Sequence, residues 1–185
     1  MINDEYKEFV VPVFNEAEYG VGVFVGNYFI TAGHVVKDND TFVFFRGKKY
    51  PLKTDDAIAW RFTENESDEN MRDYAVFSFE GINSPIQLSD ATLSEDSSLE
   101  VISFKHDPGC DPINGDIKQI TCNASFIRNL FSFCECRTDK PLHEGSSGSP
   151  LIQDGKVVGL LSGSLSSSHI NYVIFQRTSY LKLSL

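Results

Sequence analysis

The sequence lacks a long apolar run and an excess of positive charge. No stretch approaches the roughly 20 consecutive apolar residues that a membrane-spanning helix needs, and residues 1–20 carry several acids instead of the apolar core of a signal peptide. The 185 residues include 26 acidic and 16 basic side chains, a formal net charge of −10. We therefore expect a cytoplasmic protein that binds neither membranes nor nucleic acid, because both ligands attract basic surfaces.

Cysteine is scarce and unevenly placed. All four cysteines lie in the second half of the chain, and no CxxC pair is present. In a reducing compartment they are expected to be free thiols and not a disulfide framework.

Internal repeats and long amphipathic helices are also absent. Instead, short runs rich in Val, Ile, Phe and Tyr alternate with Gly, Asn, Asp and Pro, a pattern typical of an all-β sandwich or barrel. Turn residues at 25–28 and 153–156 predict two hairpins, the second with a favoured Asp-Gly turn. The predicted strands cover residues 9–13, 22–25, 28–31, 41–45, 58–62, 74–79, 99–104, 118–122, 130–137, 150–153, 157–161 and 172–176.

A polar segment divides these strands into two sets of six. Residues 81–98 are rich in Ser, Asp and Asn, so we interpret them as a linker that crosses between two units. We expect an N-terminal β-barrel at residues 1–90 and a C-terminal β-barrel at residues 91–185. The acidic stretch within 55–72 is expected to be solvated surface.

A glycine- and serine-rich turn lies between two apolar strands, with the sequence Glu-Gly-Ser-Ser-Gly-Ser-Pro at 144–150. A nucleophilic serine needs an exposed hydroxyl on a tight turn, beside backbone N–H groups that can hold an oxyanion. The glycines at 145 and 148 allow unusual backbone angles and a close approach of substrate. Ser147 is therefore a candidate nucleophile, and a flexible linker loop is the alternative.

Two further residues complete a candidate set for acyl transfer. His34 follows an apolar strand that ends in Thr-Ala-Gly, and Asp73 opens a strand that runs into the core. Each alone is more often structural, the histidine as a satisfied polar group and the aspartate as a turn residue. Together with Ser147 they supply a base, a carboxylate that orients it and a nucleophile, in the chain order of chymotrypsin.

These motifs resemble those of the chymotrypsin-like serine proteases. Thr-Ala-Gly-His at 31–34 is similar to the family's Thr-Ala-Ala-His, and Asp-Tyr-Ala at 73–75 to its Asp-(apolar)-Ala. Gly-Ser-Ser-Gly-Ser-Pro at 145–150 resembles Gly-Asp-Ser-Gly-Gly-Pro, in a style closest to glutamyl endopeptidases and viral chymotrypsin-like proteases. The resemblance covers residues 20–175 approximately. It implies an all-β fold of two six-stranded antiparallel β-barrels with the active site in the cleft between them.

The resemblance also implies a serine endopeptidase that hydrolyses peptide bonds through an acyl-enzyme, without a cofactor. Ser147 would be the nucleophile, His34 the general acid and base, and Asp73 the residue that orients the imidazole. The N–H groups of Gly145 and Ser147 would form the oxyanion hole. The expected partner is a protein or peptide substrate of narrow range. A catalytically obstructed binding module that needs a regulatory partner protein, and a non-proteolytic esterase, are the alternatives.

The same resemblance implies a substrate site in the second barrel. Segment 161–164 would pair with the substrate backbone, and a plain core strand followed by a loop is the alternative. No aspartate lies at the implied pocket base, so an apolar or small pocket is expected and a preference for Lys or Arg is not. Ser146 stands where zymogens carry an aspartate, so we expect activity without insertion of a new N-terminus. The implied binding residues are Leu142, His143, Leu161, Ser162, Gly163, Ser164 and Asn171.

A structural zinc is a further alternative drawn from the resemblance. Some viral relatives hold zinc in the second barrel with a Cys-x-Cys pair, and Cys134 and Cys136 form such a pair on one face of a strand. Cys110 and Cys122 would complete the set. Without a CxxC pair, we expect buried free thiols and no metal.

Overall fold

The computed structural model describes residues 4–15, 19–36, 40–63, 69–106, 117–142, 145–164 and 171–181. This part of the chain is almost entirely strands and turns, with one helical turn, α1 (Asp4–Lys7), and short 3₁₀ segments such as Gly33–Val36. It contains no helix with the length and apolar character needed to cross a bilayer.

The first sheet is built from the N-terminal part of the chain and is antiparallel throughout. Its strands are β1 (Val10–Phe14), β2 (Tyr19–Val25), β3 (Tyr28–Thr31), β4 (Thr41–Phe45), β5 (Lys48–Leu52), β6 (Ala59–Phe62) and β7 (Asp73–Ser78). Their order in the sheet is β5-β4-β1-β2-β3-β7-β6, so β3 and β7 lie side by side.

The second sheet closes into a barrel. Its strands are β8 (Gln87–Leu88), β9 (Leu99–His106), β10 (Ile117–Leu130), β11 (Phe133–Thr138), β12 (Pro150–Gln153), β13 (Lys156–Ser164) and β14 (Tyr172–Arg177). Six of them follow the order β12-β9-β10-β11-β14-β13, and a further pairing between β12 and β13 joins the two ends. Strand β8 pairs in parallel with β13.

The predicted all-β, two-barrel architecture is confirmed, with differences in the strand count. The first unit is a curled sheet of seven strands instead of six, because β5 also pairs with β4. Strand β5 was not predicted from the sequence because it contains two lysines and a proline. Such residues are tolerated on an edge strand. The division between residues 90 and 91 stays a prediction, although β8 already pairs within the second sheet.

The predicted hairpin at 153–156 is also confirmed. Its two central residues have positive φ, 52° at Asp154 and 76° at Gly155, as a type I′ turn requires. This turn joins β12 to β13, the two strands whose pairing closes the barrel.

A continuous apolar cluster joins the two units. It contains the buried residues of the first sheet and, from the second, Ile102, Ile152, Val157 and Leu160. Full burial of one such side chain stabilises the fold by about 1.5–3 kcal/mol. Because both units contribute to it, this cluster packs the first sheet against the second barrel.

Candidate active site

The turn that carries Ser147 is held against the first sheet. Gly148 N donates to the carbonyl of Leu161 at 2.7 Å, and the carbonyl of Ser147 accepts Val21 N at 2.8 Å. Gly148 has a φ of 91°, and a Cβ there would lie 1.9 Å from the carbonyl oxygen of Val21. Only glycine fits at this position, and the close contact fixes the serine hydroxyl, which is partly exposed, relative to the first sheet.

The imidazole of His34 faces that hydroxyl. His34 lies in the 3₁₀ segment Gly33–Val36 directly after β3, and its Nε2 is 2.9 Å from Ser147 Oγ. The ring packs beside Phe62 of β6, with centroids 5.7 Å apart, and its side chain is 23% exposed. The first sheet thus places the imidazole against a serine of the second barrel.

Asp73 holds the other side of the imidazole. It opens β7, its side chain is 4% exposed, and its Oδ2 lies 2.6 Å from His34 Nδ1. The His34 backbone N–H donates to Oδ1 at 2.8 Å, and the Ser162 hydroxyl donates to Oδ2 at 2.6 Å. An ionised carboxylate accepts hydrogen bonds and donates none, so Nδ1 carries the ring proton and Nε2 offers its lone pair to Ser147.

The position before His34, residue 33, requires glycine for a steric reason. A Cβ at Gly33 would lie 2.5 Å from the carbonyl oxygen of Arg61 and 3.0 Å from the backbone of Tyr74. Trp60 Nε1 donates to the Gly33 carbonyl at 3.0 Å. Strand β6 therefore packs directly on the turn that presents the imidazole, in a space that an alanine side chain would occupy.

The backbone N–H groups of Ser147 itself and of Gly145 lie close to the serine hydroxyl in sequence. Within the described part of the chain, the N–H groups of Gly145 and Ser147 have no hydrogen-bond acceptor. Gly145 has a φ of 90° and packs against the ring of Tyr19. Unpaired donors beside a serine hydroxyl are the arrangement that can receive a developing oxyanion.

The residues expected to bind substrate differ in their surroundings. Leu142 and Leu161 are buried in the apolar core of the second barrel. Asn171 is held at the start of β14, where its Nδ2 donates to the carbonyl of Thr138 at 2.9 Å and its own carbonyl accepts Thr138 N at 2.8 Å. Ser162 is turned toward Asp73, so its hydroxyl is already engaged. His143 lies outside the described residues.

The end of β13 has a backbone edge that no described strand covers. Pairing with β12 ends at Leu160, whereas pairing with β14 continues through Gly163 to Ser164. A Cβ at Gly163 would meet no atom within 4 Å. An extended chain therefore has room to lie along this part of β13.

The described cysteines are buried free thiols. Cys122, Cys134 and Cys136 have no disulfide partner among the described residues, and Cys110 lies outside them. Burial raises the pKa of the Cys122 thiol to about 11, with a further contribution from Asp139. The pKa of Cys136 is raised well above its ordinary value. The hydrogen bond with Cys134 is the largest cause, and burial is the second. The described residues contain no group of three or more potential metal ligands.

Two residues that contact the site escaped the sequence reasoning, and a third was expected in another role. Trp60 Nε1 donates to the Gly33 carbonyl, and Gln176 Oε1 accepts Asp73 N at 2.8 Å. Ser162 was expected to bind substrate, and its hydroxyl donates to Asp73. Gln176 offered one signal, because it is a polar residue at the end of an apolar strand where a side chain faces the interior. The other two depend on contacts between segments far apart in the chain.

At the boundary of the two β-units, a serine, a histidine and an aspartate thus form one hydrogen-bonded set. The family model described as "Trypsin-like peptidase domain" matches residues 20–160. The chain belongs to this family and is a peptidase domain of the chymotrypsin fold. No curated protein sequence matches it.

Solved structures share this fold at low sequence identity. The scabies mite inactivated protease paralogue S-D1 aligns with a TM-score of 0.72 and 17% identity, over 97% of this chain and 91% of that one. Kallikrein-related peptidase 10 gives a TM-score of 0.67 and 14% identity, with 96% and 93% covered. The tobacco vein mottling virus protease gives 0.65 and 13%, with 100% and 87% covered. At these identities the likeness concerns the fold alone.

Proposed function

We propose that this protein is a serine endopeptidase that uses Ser147, His34 and Asp73 as a catalytic triad. The observation that carries the proposal is the unbroken hydrogen-bond succession from Ser147 Oγ to His34 Nε2 at 2.9 Å and from His34 Nδ1 to Asp73 Oδ2 at 2.6 Å. Hydroxyl, imidazole and carboxylate in this order can deprotonate the serine as it attacks an acyl carbon.

The proposed reaction has two halves. Ser147 Oγ forms a bond to the peptide carbonyl carbon while its proton passes to His34 Nε2, and the tetrahedral intermediate breaks when Nε2 returns that proton to the leaving nitrogen. Water then attacks the resulting ester, with His34 first accepting and then donating a proton. Asp73 stays ionised and stabilises the imidazolium in both halves.

The oxyanion hole belongs to the proposal as well. The N–H groups of Gly145 and Ser147 would donate to the carbonyl oxygen as it becomes negative. Loss of one such donor typically costs about 10²–10³ in kcat. Their lack of other acceptors in the described part of the chain supports this role, because a donor that is already bonded has nothing to offer the transition state.

The substrate would bind as an extended chain along β13. The uncovered edge near Gly163 supports pairing with a peptide backbone. The side chain before the scissile bond would meet a pocket with Leu142, Leu161 and Asn171 near its walls, and His143 is proposed there on sequence grounds alone. With two buried leucines and no acidic residue assigned, we propose a preference for apolar or small side chains.

Activity is proposed to need no newly cut N-terminus. Ser146 is buried, and its carbonyl accepts Ser149 N at 3.0 Å, so this turn is closed by its own backbone. A serine at this position offers no carboxylate to pair with an inserted ammonium group.

Proteome-derived peptides offer a direct test. We expect purified wild-type protein to create new peptide termini, identified by mass spectrometry, with apolar or small residues before the cut. Ser147→Ala should create none of them, and Ser125→Ala, which changes an exposed serine of β10, should match wild type.

The outcomes separate the alternatives. Equal cleavage by wild type and Ser147→Ala would contradict the assigned nucleophile. Hydrolysis of activated esters without peptide cleavage would identify an esterase. Binding of peptides without any turnover would identify an obstructed protease-like module.

A further inference from the structure

Gln176 is a fully buried amide at the boundary between the two units. It lies on β14 of the second barrel and has 0% exposure. Its Oε1 accepts the backbone N–H of Asp73 at 2.8 Å, and its Nε2 donates to the carbonyl of Ser132 at 3.0 Å. Both ends of the amide are therefore engaged, one on each side of the boundary.

The backbone of Asp73 needs such a partner. Thr63 N donates to the Arg72 carbonyl at 3.0 Å, and Arg72 N donates to Thr63 Oγ1 at 2.9 Å, both at the β6 edge of β7. The next amide along the strand therefore points to the opposite edge. The neighbour on that edge, β3, ends its pairing where Thr31 meets Ala75. Without Gln176 the N–H of Asp73 would be buried beyond the end of the ladder without an acceptor, which is unfavourable.

Ser132, also in the second barrel, makes a second hydrogen bond to the segment that contains Asp73. The Ser132 hydroxyl donates to the carbonyl of Met71 at 2.7 Å. The Ser132 carbonyl accepts Arg177 N at 2.9 Å in addition to the Gln176 amide. The segment 71–73 of the first unit is therefore attached at two points to one rigid part of the second barrel.

We propose that Gln176 is a positioning residue that sets the distance between the Asp73 carboxylate and the His34 imidazole. The second barrel carries Ser147, so this attachment ties the backbone of the acid to the unit that carries the nucleophile. The three groups can then align only when the units are correctly docked. This inference rests on the proposed triad function and adds a residue of β14 that touches neither substrate nor the reacting atoms.

Gln176→Met tests the proposal because it keeps the side-chain length and removes both hydrogen bonds. We expect kcat to fall by about 10²-fold, the effect of a displacement near 1 Å, with KM changed by less than about threefold. The acid limb of the kcat profile should move to lower pH, because a more distant carboxylate stabilises the imidazolium less. The low-field NMR signal of the His34 Nδ1 proton should move upfield.

Gln176→Glu provides the conservative variant. Its neutral carboxyl can accept from Asp73 N and donate to the Ser132 carbonyl, and burial favours this neutral form. We expect near wild-type kcat while the carboxyl is protonated and a loss at higher pH, where it ionises and loses its donor. Wild type should show no such alkaline loss. If Gln176→Met does not fold, this pH dependence decides the question.

Thr178→Val controls for a general loss of stability. It removes a buried hydroxyl, directly after β14, that donates to the Val157 carbonyl at 3.1 Å and to the Ser89 carbonyl at 3.3 Å. This hydroxyl makes no hydrogen bond to segment 71–73 in the described part of the chain. Wild-type kinetics and NMR signals in Gln176→Met, or equal losses in Gln176→Met and Thr178→Val, would overturn the proposal. If wild type itself shows no Ser147-dependent cleavage, the proposed function fails, and the Nδ1 signal still reports whether Gln176 positions Asp73.

Discussion

Asp73 holds both the ring and the backbone of His34. Its Oδ2 lies 2.6 Å from the imidazole Nδ1, and its Oδ1 accepts the His34 backbone N–H at 2.8 Å. One carboxylate thus fixes the tautomer of the ring and the position of the turn that carries it. Because the side chain is almost completely buried, water offers no substitute for these bonds.

Asp73→Asn is therefore expected to lower kcat by about 10⁴-fold. The His34 backbone N–H favours the amide oxygen at the Oδ1 position, so the amide NH₂ would face Nδ1 and donate to it. The ring proton would then lie on Nε2, which could no longer accept the proton of Ser147. Steady-state kinetics on a peptide substrate measure the effect. Asp154→Asn, in the exposed β12–β13 turn, is the matched control and should keep wild-type kcat. A loss below tenfold in Asp73→Asn would contradict the role of the carboxylate.

The rate of acylation should depend on the protonation of His34. Only the neutral ring can take the proton of Ser147, so kcat/KM should fall as the pH drops and the His34 imidazole becomes protonated. A pH–rate profile of wild type measures this limb. A rate that stays constant down to about pH 4 would be incompatible with a histidine base.

Gly33→Ala should be destabilising even though the related family motif has alanine at this position. The new Cβ would lie 2.5 Å from the Arg61 carbonyl oxygen, so β6 or the His34 turn must shift. Overpacking of this kind costs about 1–3 kcal/mol. Thermal unfolding measures the loss, and Gly163→Ala, which meets no atom within 4 Å, is the control for stability. Equal stability of both variants would contradict the packing of β6 on this turn.

The all-β architecture was predictable because its signals are local. Alternating apolar runs and turn residues such as Asp154 and Gly155 report the strands and hairpins directly. Strand β5 was missed because its lysines and Pro51 are acceptable on a sheet edge, where pairing decides the structure more than composition does.

The candidate site was predictable for a different reason. Ser147, His34 and Asp73 lie in short motifs whose residue types and order carry the chemistry, and the structure brings these three side chains into hydrogen-bonding range. Gln176 and Trp60 act through contacts between segments distant in sequence, and of the two only Gln176 offers a local signal, as a polar residue near the end of an apolar strand. The specificity pocket likewise depends on how side chains from distant segments are arranged, so the sequence alone does not define it.

The buried cysteines should be unreactive in the folded protein. The raised pKa of Cys122, about 11, keeps its thiol neutral at pH 8, and the pKa of Cys136 is raised as well. Since the thiolate is the reactive form, Cys110→Ser protein should react with a thiol reagent only after unfolding, when its three remaining thiols become accessible.

Reaction of this variant under native conditions would show that the second barrel opens or that the thiols are ionised. Metal analysis of wild type tests the zinc alternative separately, and zinc near one equivalent would establish it.

The most direct measurement is covalent labelling with a fluorophosphonate, followed by mass spectrometry of the modified peptide. An activated serine attacks this reagent through the same proton transfer that acylation requires. We predict one adduct, on Ser147, that is lost in His34→Ala and formed normally in Ser125→Ala. An unlabelled wild-type protein, or an adduct on Ser147 that persists at full rate without His34, would contradict activation of this serine by the imidazole beside it.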